Sequence, residues 1–299
     1  MERVECDVLV VGAGGAGLRA AISAAEAGAQ VALVSKSLLG KAHTVMAEGG
    51  IAAALGNMDE RDSWKVHFRD TIRGGKGLCN WEMAKLHAEQ SPERVRELER
   101  WGAVFDRTPD GRINQRNFGG HRYPRLAHVG DRTGLELIRT LQDHGVHQGI
   151  EVHMECTALE LLQVDGKVCG VLAYWRDTGR FVLFRAKAVI LAAGGAGQIF
   201  ASTNNTADIT GDSYALALGA GASLRDMEFP QFYPNWGISP FRCTISSVMM
   251  GDGARFRNAA QEAFMSRYYP QARDMATRDQ TSLALFREMQ EGRGVDGGV

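Results

Sequence analysis

Two short clusters in this 299-residue chain carry residue types that could do chemistry. The first is Val11-Gly12-Ala13-Gly14-Gly15-Ala16-Gly17. Gly12 permits a tight turn, Gly14 lets the main chain approach a pyrophosphate, and Gly17 lets a following helix pack closely on the preceding strand. The second is Lys41-Ala42-His43-Thr44-Val45-Met46-Ala47-Glu48-Gly49-Gly50, which puts an imidazole and a Gly-Gly turn soon after that cradle. The other histidines (His67, His87, His121, His128, His144, His147, His153) show no metal-ligand spacing. His144-x-x-His147 is only a pair, so solvent-exposed or packing roles are expected and no metal site is.

The glycine turn needs a strand before it and a helix after it, and the sequence supplies both. Cys6 to Val11 is a β-branched apolar run of the buried parallel-strand kind. An alanine-rich helix, Leu18 to Ala27, ends at Gly28, and Ala29 to Val34 reads as a second strand. The helix N-terminus offers free N–H groups and the positive end of its dipole to phosphate. Dinucleotide binding follows from the strand–turn–helix–strand order. The acidic residue that usually holds a ribose about 20 residues on is absent. Ser35 and Lys36 stand there, which counts against a nicotinamide cofactor.

Further along, residues 41–60 read as a glycine- and alanine-rich loop with a short helix. Residues 60–105 read as helices, 106–130 as loop, and 134–144 as an amphipathic helix. Strands are expected near 150–156, 159–164, 168–175 and 180–186. Ala188 to Ala193 is another apolar run that ends in Gly194-Gly195, a second strand-then-glycine turn. A helix is expected from Asp212 to Gly221. After Glu228 the texture changes to Pro, aromatic and Met residues, which marks entry into a second, smaller domain.

Composition bounds the function. With 44% hydrophobic residues and a net charge of −1, the chain reads as a soluble globular protein with a sizeable core. No basic patch interleaved with aromatics points to nucleic acid. The N-terminus runs almost at once into a strand, so no signal peptide is expected. No apolar run reaches the roughly 18 residues of a membrane span. The five cysteines are scattered, odd in number and without CxxC. They argue against a disulfide framework or an iron–sulfur site and suit a reducing compartment.

The chain resembles the flavoprotein subunit of the succinate dehydrogenase and fumarate reductase family. The resemblance rests on Gly12–Gly17, Val34-Ser35-Lys36-Ser37, His43-Thr44 with Glu48-Gly49-Gly50, and Gln115-Arg116-Asn117-Phe118-Gly119-Gly120. It continues through Ala192-Ala193-Gly194-Gly195, Thr210-Gly211-Asp212, Met227-Glu228-Phe229, and Arg278-Asp279 with Glu291-Gly292-Arg293-Gly294, in family order over the whole length. Ser-Lys after the second strand is a family feature, so the missing acid fits. Family members are roughly twice as long. The end, Glu291 to Val299, looks like a turn into a strand that never arrives, so the chain reads as an N-terminal portion or a truncation.

The resemblance implies an α/β fold: a Rossmann-like, glutathione-reductase-type FAD-binding domain with inserted strands (1–228), then the start of a smaller α+β capping, substrate domain (229–299), incomplete. It implies FAD held by Gly12, Gly14, Gly15, Ala16, Gly17, Ser35, Lys36, His43, Thr44, Glu48, Gly49, Gly50, Ala193, Gly194, Gly195 and Asp212, with a covalent bond from His43 to the flavin 8α-methyl. Gly49-Gly50 and Phe118 would flank the ring, and Gly50 and Phe118 would also face substrate. Arg278 matches the family's proton donor, with Asp252 the remaining acid of the site. The implied reaction is hydride exchange between flavin N5 and the C2–C3 bond of succinate or fumarate. Electrons would leave to an iron–sulfur subunit, and through it to membrane-anchor subunits. The implied location is cytoplasmic, peripheral on the inner face of the membrane.

The substrate half departs from the family. His-Pro-Thr-Gly reads Tyr233-Pro234-Asn235-Trp236-Gly237, with one residue inserted. Thr-Glu-Gly-x-Arg-Gly-Glu-Gly reads Ser246-Ser247-Val248-Met249-Met250-Gly251-Asp252-Gly253. The substrate-facing carboxylate has become Ser247 and the arginine of the proton relay Met250. Tyr233, Asn235, Ser246 and Ser247 remain as substrate-binding candidates. Two other readings stay open: the same flavin chemistry on a different dicarboxylate or enoate, and a flavin-binding half-protein without independent activity.

Overall fold

A computed structural model describes residues 1–239 and 242–299. By contact density the chain divides into two compact units. Unit 1 comprises Met1–Ala47, Trp101–Ala103 and Gly134–Phe229; unit 2 comprises Glu48–Arg100, Val104–Thr133 and Pro230–Val299. The sequence reading has a single break after residue 228. The last break falls one residue later, but residues 48–133, apart from 101–103, group with the C-terminal segment.

In chain order the first elements are β1 (Glu2–Val11), α1 (Gly15–Glu26), β2 (Val31–Val34), β3 (Ile51–Ala52), α2 (Trp64–Gly74), α3 (Trp81–Arg100), β4 (Gln115–Arg116), β5 (Leu126–Ala127) and α4 (Thr133–His147). Then come β6 (Glu151–His153), β7 (Cys156–Val164), β8 (Lys167–Trp175), β9 (Phe181–Leu191), α5 (Asp212–Gly219), β10 (Trp236–Gly237), β11 (Cys243–Thr244), α6 (Val248–Gly251), α7 (Met265–Tyr268) and α8 (Arg278–Gln290).

Unit 1 is built on one six-stranded sheet in the order β6-β2-β1-β9-β8-β7. The β6, β2, β1 and β9 strands are parallel, and β8 and β7 continue antiparallel. Central position explains the apolar run of β1: Leu9 and Val10 are fully buried, as are Leu33 and the rest of β2. Gly17, Leu18, Ala21 and Ile22 form the buried face of α1. The strand begins four residues before the apolar run because Glu2 to Cys6 pair with Val182 to Ala186 of β9. For the same reason the two strands expected at 180–186 and 188–193 are one continuous strand, 181–191. Its first half lies between β8 and β1, and its second half continues beside β1 alone.

Unit 2 holds the α2–α3 helices, a three-stranded sheet in the order β3-β5-β4, the short β10–β11 pair and helices α6 to α8. Its C-terminal core is Phe264, Met265, Ala276 and Ala284. The fully buried Glu288 of α8 is held by Arg267, Arg293, Tyr268 and Asn258. Among the described residues, no helix is long and apolar enough to cross a membrane.

Candidate functional site

The glycine turn opens onto a cleft in unit 1. Gly12, Gly14, Gly15, Ala16, Ser35, Lys36, His43, Thr44, Ala193, Gly194 and Asp212 all line it. The glycines have different reasons to be glycine. A Cβ on Gly17 would lie 1.7 Å from the Gly12 carbonyl oxygen, so Gly17 sets helix–strand packing and does not line the cleft. A Cβ on Gly14 would meet only Ala42 Cβ and Thr44 Oγ1, both at 3.4 Å, so the protein itself leaves that face free. No side chain caps α1 at Gly14; Thr44 Oγ1 accepts only the Gly15 N–H, at 3.1 Å. The helix N-terminus therefore faces the cleft with donors to offer, which fits a diphosphate. Gly195 stands outside the lining and uses its carbonyl to accept the Gly211 N–H.

Where a ribose-binding acid is usual, Lys36 Nζ instead reaches Asp212 Oδ2 at 2.8 Å and Thr210 Oγ1 at 2.5 Å. Burial alone would raise the Asp212 carboxyl; hydrogen bonds from Lys36 and Thr210 outweigh it and hold the group below its usual range. An ionised carboxylate is thus returned to the cleft from α5, 176 residues away in sequence from Lys36.

His43 begins a short 3-10 helix, His43–Met46, and lines the same cleft. Burial lowers its pKa, so the ring is neutral at neutral pH. Its Nδ1 accepts the Thr206 backbone N–H at 3.4 Å, which leaves Nε2 as the other ring position. Thr206 has no motif around it that points to this contact.

The remaining expected residues belong to unit 2. Glu48 is half-buried and its carbonyl accepts from Thr133 Oγ1. Gly49 lies against Phe118, with a notional Cβ 3.7 Å from Phe118 Cε2. Gly50, at φ +124°, packs on the Ala127 carbonyl of β5, where a Cβ would approach to 2.7 Å. Arg278 is the first residue of α8, set there by a Thr277/Gln280 capping box. Its guanidinium carbon lies 4.8 Å from the Tyr233 ring centre and 5.8 Å from that of Phe118. Arg278 Nη1 donates to Gln231 Oε1 at 2.7 Å, while Nε is buried without a partner among the described residues. Gln231 lies between two segments that carry the family resemblance, and its uncharged side chain gives no sequence signal for this contact. No carboxylate pairs with Arg278 among the described residues.

The rewritten substrate segments do meet, but they satisfy one another. Tyr233 Oη donates to the Ile245 carbonyl at 2.8 Å, Asn235 Nδ2 donates to Ser247 Oγ at 3.1 Å, and Ser247 Oγ donates to Tyr233 Oη at 3.4 Å. Asn235 is buried. Ser246 is half-buried, and its carbonyl accepts the Met249 N–H. Asp252, expected as the acid of the site, ends α6 exposed and makes no side-chain hydrogen bond or ion pair among the described residues. No hydrogen bond or ion pair joins it to Arg278 among the described residues.

The model of the FAD binding domain family matches residues 7–298. The chain is 42% identical over 301 aligned positions to the A chain of fumarate reductase (CoM/CoB) of Methanothermobacter marburgensis, covering 99% of this chain and 55% of that protein. It is 41% identical to the succinate dehydrogenase flavoprotein subunit of Rickettsia bellii, covering 97% and 50%. Among solved structures, Mycobacterium smegmatis Sdh1 in complex with UQ1 aligns with TM-score 0.85 and 51% identity, over 100% of this chain and 52% of that one. A quinol-fumarate reductase with menaquinol molecules aligns with TM-score 0.92 and 34% identity, over 100% and 54%. The chain spans about half the length of the curated relatives it matches. With its phosphate cradle, its cleft and these matches, the chain belongs to the FAD-binding domain family, in the group of succinate dehydrogenase and fumarate reductase flavoprotein subunits.

Proposed function

We propose that the protein interconverts succinate and fumarate with FAD as its redox cofactor and delivers electrons to an iron–sulfur partner chain, and through it to a membrane anchor at the inner face of the cytoplasmic membrane. The observation that carries this reading is Arg278, clasped between Phe118 and Tyr233 without a carboxylate partner among the described residues, in a chain whose other unit carries an FAD cleft. FAD supplies a two-electron acceptor for a hydride from the substrate's C2–C3 bond.

The chain's own residues divide the rest of the work. Gly14 and Ala16 present backbone donors to the diphosphate, Gly15 gives it a close approach, and the Lys36–Asp212 pair lines the same cleft for the ribose. His43, kept neutral by burial, is in the protonation state a covalent bond to the flavin requires. Thr206 donating to Nδ1 matches an imidazole substituted at Nε2, whose only remaining lone pair is on Nδ1. Phe118 covers Gly49 and excludes water. Arg278 orients a substrate carboxylate and carries the proton that leaves or joins the substrate carbon.

A second reading keeps this chemistry and changes the substrate to another dicarboxylate or an enoate. It is favoured by the Asn235–Ser247–Tyr233 chain of hydrogen bonds, which runs on to the Ile245 carbonyl and engages the hydroxyls of Ser247 and Tyr233. Turnover of the holoenzyme against a panel of dicarboxylates and enoates, with a dye as electron carrier, separates the two. In the same assay Arg278→Lys is expected to lower kcat by about 10²–10⁴-fold with normal FAD content, because an ammonium cannot reproduce the planar fork. Near-normal turnover by this variant assigns the proton to another group.

A further inference from the structure

Proton exchange at Arg278 needs a route to solvent, and the residues that the family resemblance makes a relay carboxylate and arginine are here Ser247 and Met250, neither of which exchanges protons near neutral pH. Unit 2 contains a different set of titratable groups that reaches the same corner. The His87 ring is exposed on α3. Its centre lies 5.3 Å from that of His67, which is buried in α2 at 3% exposure. His67 in turn is 6.2 Å from His121, and His121 is 6.1 Å from Phe118, the ring that flanks Arg278. Backbone packing brings the last step together. A Cβ on Gly119 would come within 2.8 Å of the Ala276 carbonyl, and one on Gly120 within 3.0 Å of Thr277 Cγ2. His121 and Arg278 are the residues that follow these two contacts.

We propose that His87, His67 and His121 form a proton ladder from the surface of α3 to the loop beside Arg278, replacing the relay that Ser247 and Met250 cannot provide. The inference rests on Arg278 being the group that exchanges the proton with substrate.

A well-packed structural cluster would satisfy its polar atoms, and this one does not. His67 Nδ1 and His121 Nδ1 are buried without a partner among the described residues, and so are Arg125 Nε and Nη1 and Asp62 Oδ2. In the ladder, ordered water would bridge these orphaned groups across ring-centre gaps of 5.3 and 6.2 Å. The charges around the ladder favour neutral rings. Arg125, fully buried, pairs with Asp62 at 2.8 Å and Asp70 at 2.9 Å; Arg73 pairs with Asp70 from the surface. Burial first, then the Arg125 cation, pushes His67 and His121 down to about 4. A neutral imidazole accepts a proton at one nitrogen and releases one from the other, so the ladder can pass charge without storing it.

In the reducing direction an Arg278 N–H bond breaks as the substrate C–H bond forms. Arg278 recovers its proton from His121, His121 from His67, His67 from His87, and His87 from solvent; oxidation runs the same transfers backwards.

The test uses the holoenzyme with a dye carrier in weakly buffered solution. His67→Gln and His121→Asn are expected to lower kcat at least tenfold with KM and malonate binding unchanged. The solvent deuterium isotope effect on kcat should rise. His87→Ala, at the exposed end, should lose at least threefold and recover on adding imidazole. Any of three results overturns the ladder: kcat within twofold of wild type in both buried variants, a loss confined to KM, or a His87→Ala enzyme that is unaffected or indifferent to imidazole. Should a buried variant misfold, the His87→Ala result decides alone. Full activity in Arg278→Ala overturns the assignment of Arg278 instead, whatever the histidine variants do.

Discussion

Adding one methyl group at Gly17 should damage this protein more than adding one at Gly14, three residues earlier. In Gly17→Ala the new carbon would sit 1.7 Å from the Gly12 carbonyl oxygen and 2.8 Å from its carbon. Real side chains essentially never approach closer than about 3.0 Å, so α1 and the β1 turn must separate by more than 1 Å. Both sides of the clash are fixed. Gly12 itself is pressed on Ala192, and Leu18, Ala21 and Ile22 of α1 are buried. Overpacking a core costs about 1–3 kcal/mol where side chains can yield. Here only backbone can yield, so the upper end or beyond is expected, a large share of a net stability of about 5–15 kcal/mol. Gly14→Ala meets its neighbours only at 3.4 Å, an ordinary contact, so its fold should be nearly untouched. Its methyl instead occupies the side from which the diphosphate must approach. The assay is a denaturant midpoint for the apoprotein together with bound FAD per chain. Gly17→Ala should lose the midpoint and the flavin together; Gly14→Ala should lose flavin with a midpoint close to wild type. A Gly17→Ala protein with wild-type midpoint and full flavin content would refute the packing argument, and a Gly14→Ala protein with full flavin content would refute the cradle.

Flavin should stay with the polypeptide on acid precipitation, and His43→Ser should release it to the supernatant while the native protein still binds FAD through its phosphate contacts; wild-type flavin found in the supernatant reduces His43 to a noncovalent neighbour. Stability should fall on acidification from about pH 6.5 towards 4. His67 and His121 have folded pKa values pushed down to about 4 from 6.5, so the unfolded chain binds more protons across that window. Each can contribute a slope of up to about 1.4 kcal/mol per pH unit, flattening below pH 4. Urea midpoints at intervals from pH 7.5 to 4 check it, and a flat profile for wild type, or an unchanged one in His67→Gln, removes the histidines from the account.

The cradle was legible because its information is local. A strand, a glycine turn, a helix and a strand within 34 residues carry their own periodicity and their own reason for each glycine. The long strand β9 reads as two in sequence because it is flanked by β8 and β1 over its first half and by β1 alone over its second, and the periodicity changes with it. Unit 2 is not legible as a unit, since its pieces are separated in sequence and joined by long-range contacts such as the β3–β5 pairing and the Arg125–Asp62 ion pair. The same limit applies to the site. Arg278, Phe118 and Tyr233 could be named from sequence, but the mutual hydrogen bonds that occupy Tyr233, Asn235 and Ser247 depend on the β10–β11 register. His67 and His121 read as packing histidines from sequence, and only the fold shows their ring centres 6.2 Å apart.

The pairing of β1 also sets a schedule for synthesis. Its near partner β2 is made at once, but Glu2 to Val11 must wait for Val182 to Leu191 on the other side. At about 5–20 residues per second the ribosome needs roughly 10–40 s to make that stretch. Throughout that time the β9 side of β1 stands open, and Ala193, Gly194 and Asp212 of the cleft are not yet made. A nascent chain in this state invites intermolecular strand pairing. Expression in cells should therefore respond to chaperone supply and growth temperature more than the stability of the finished protein suggests.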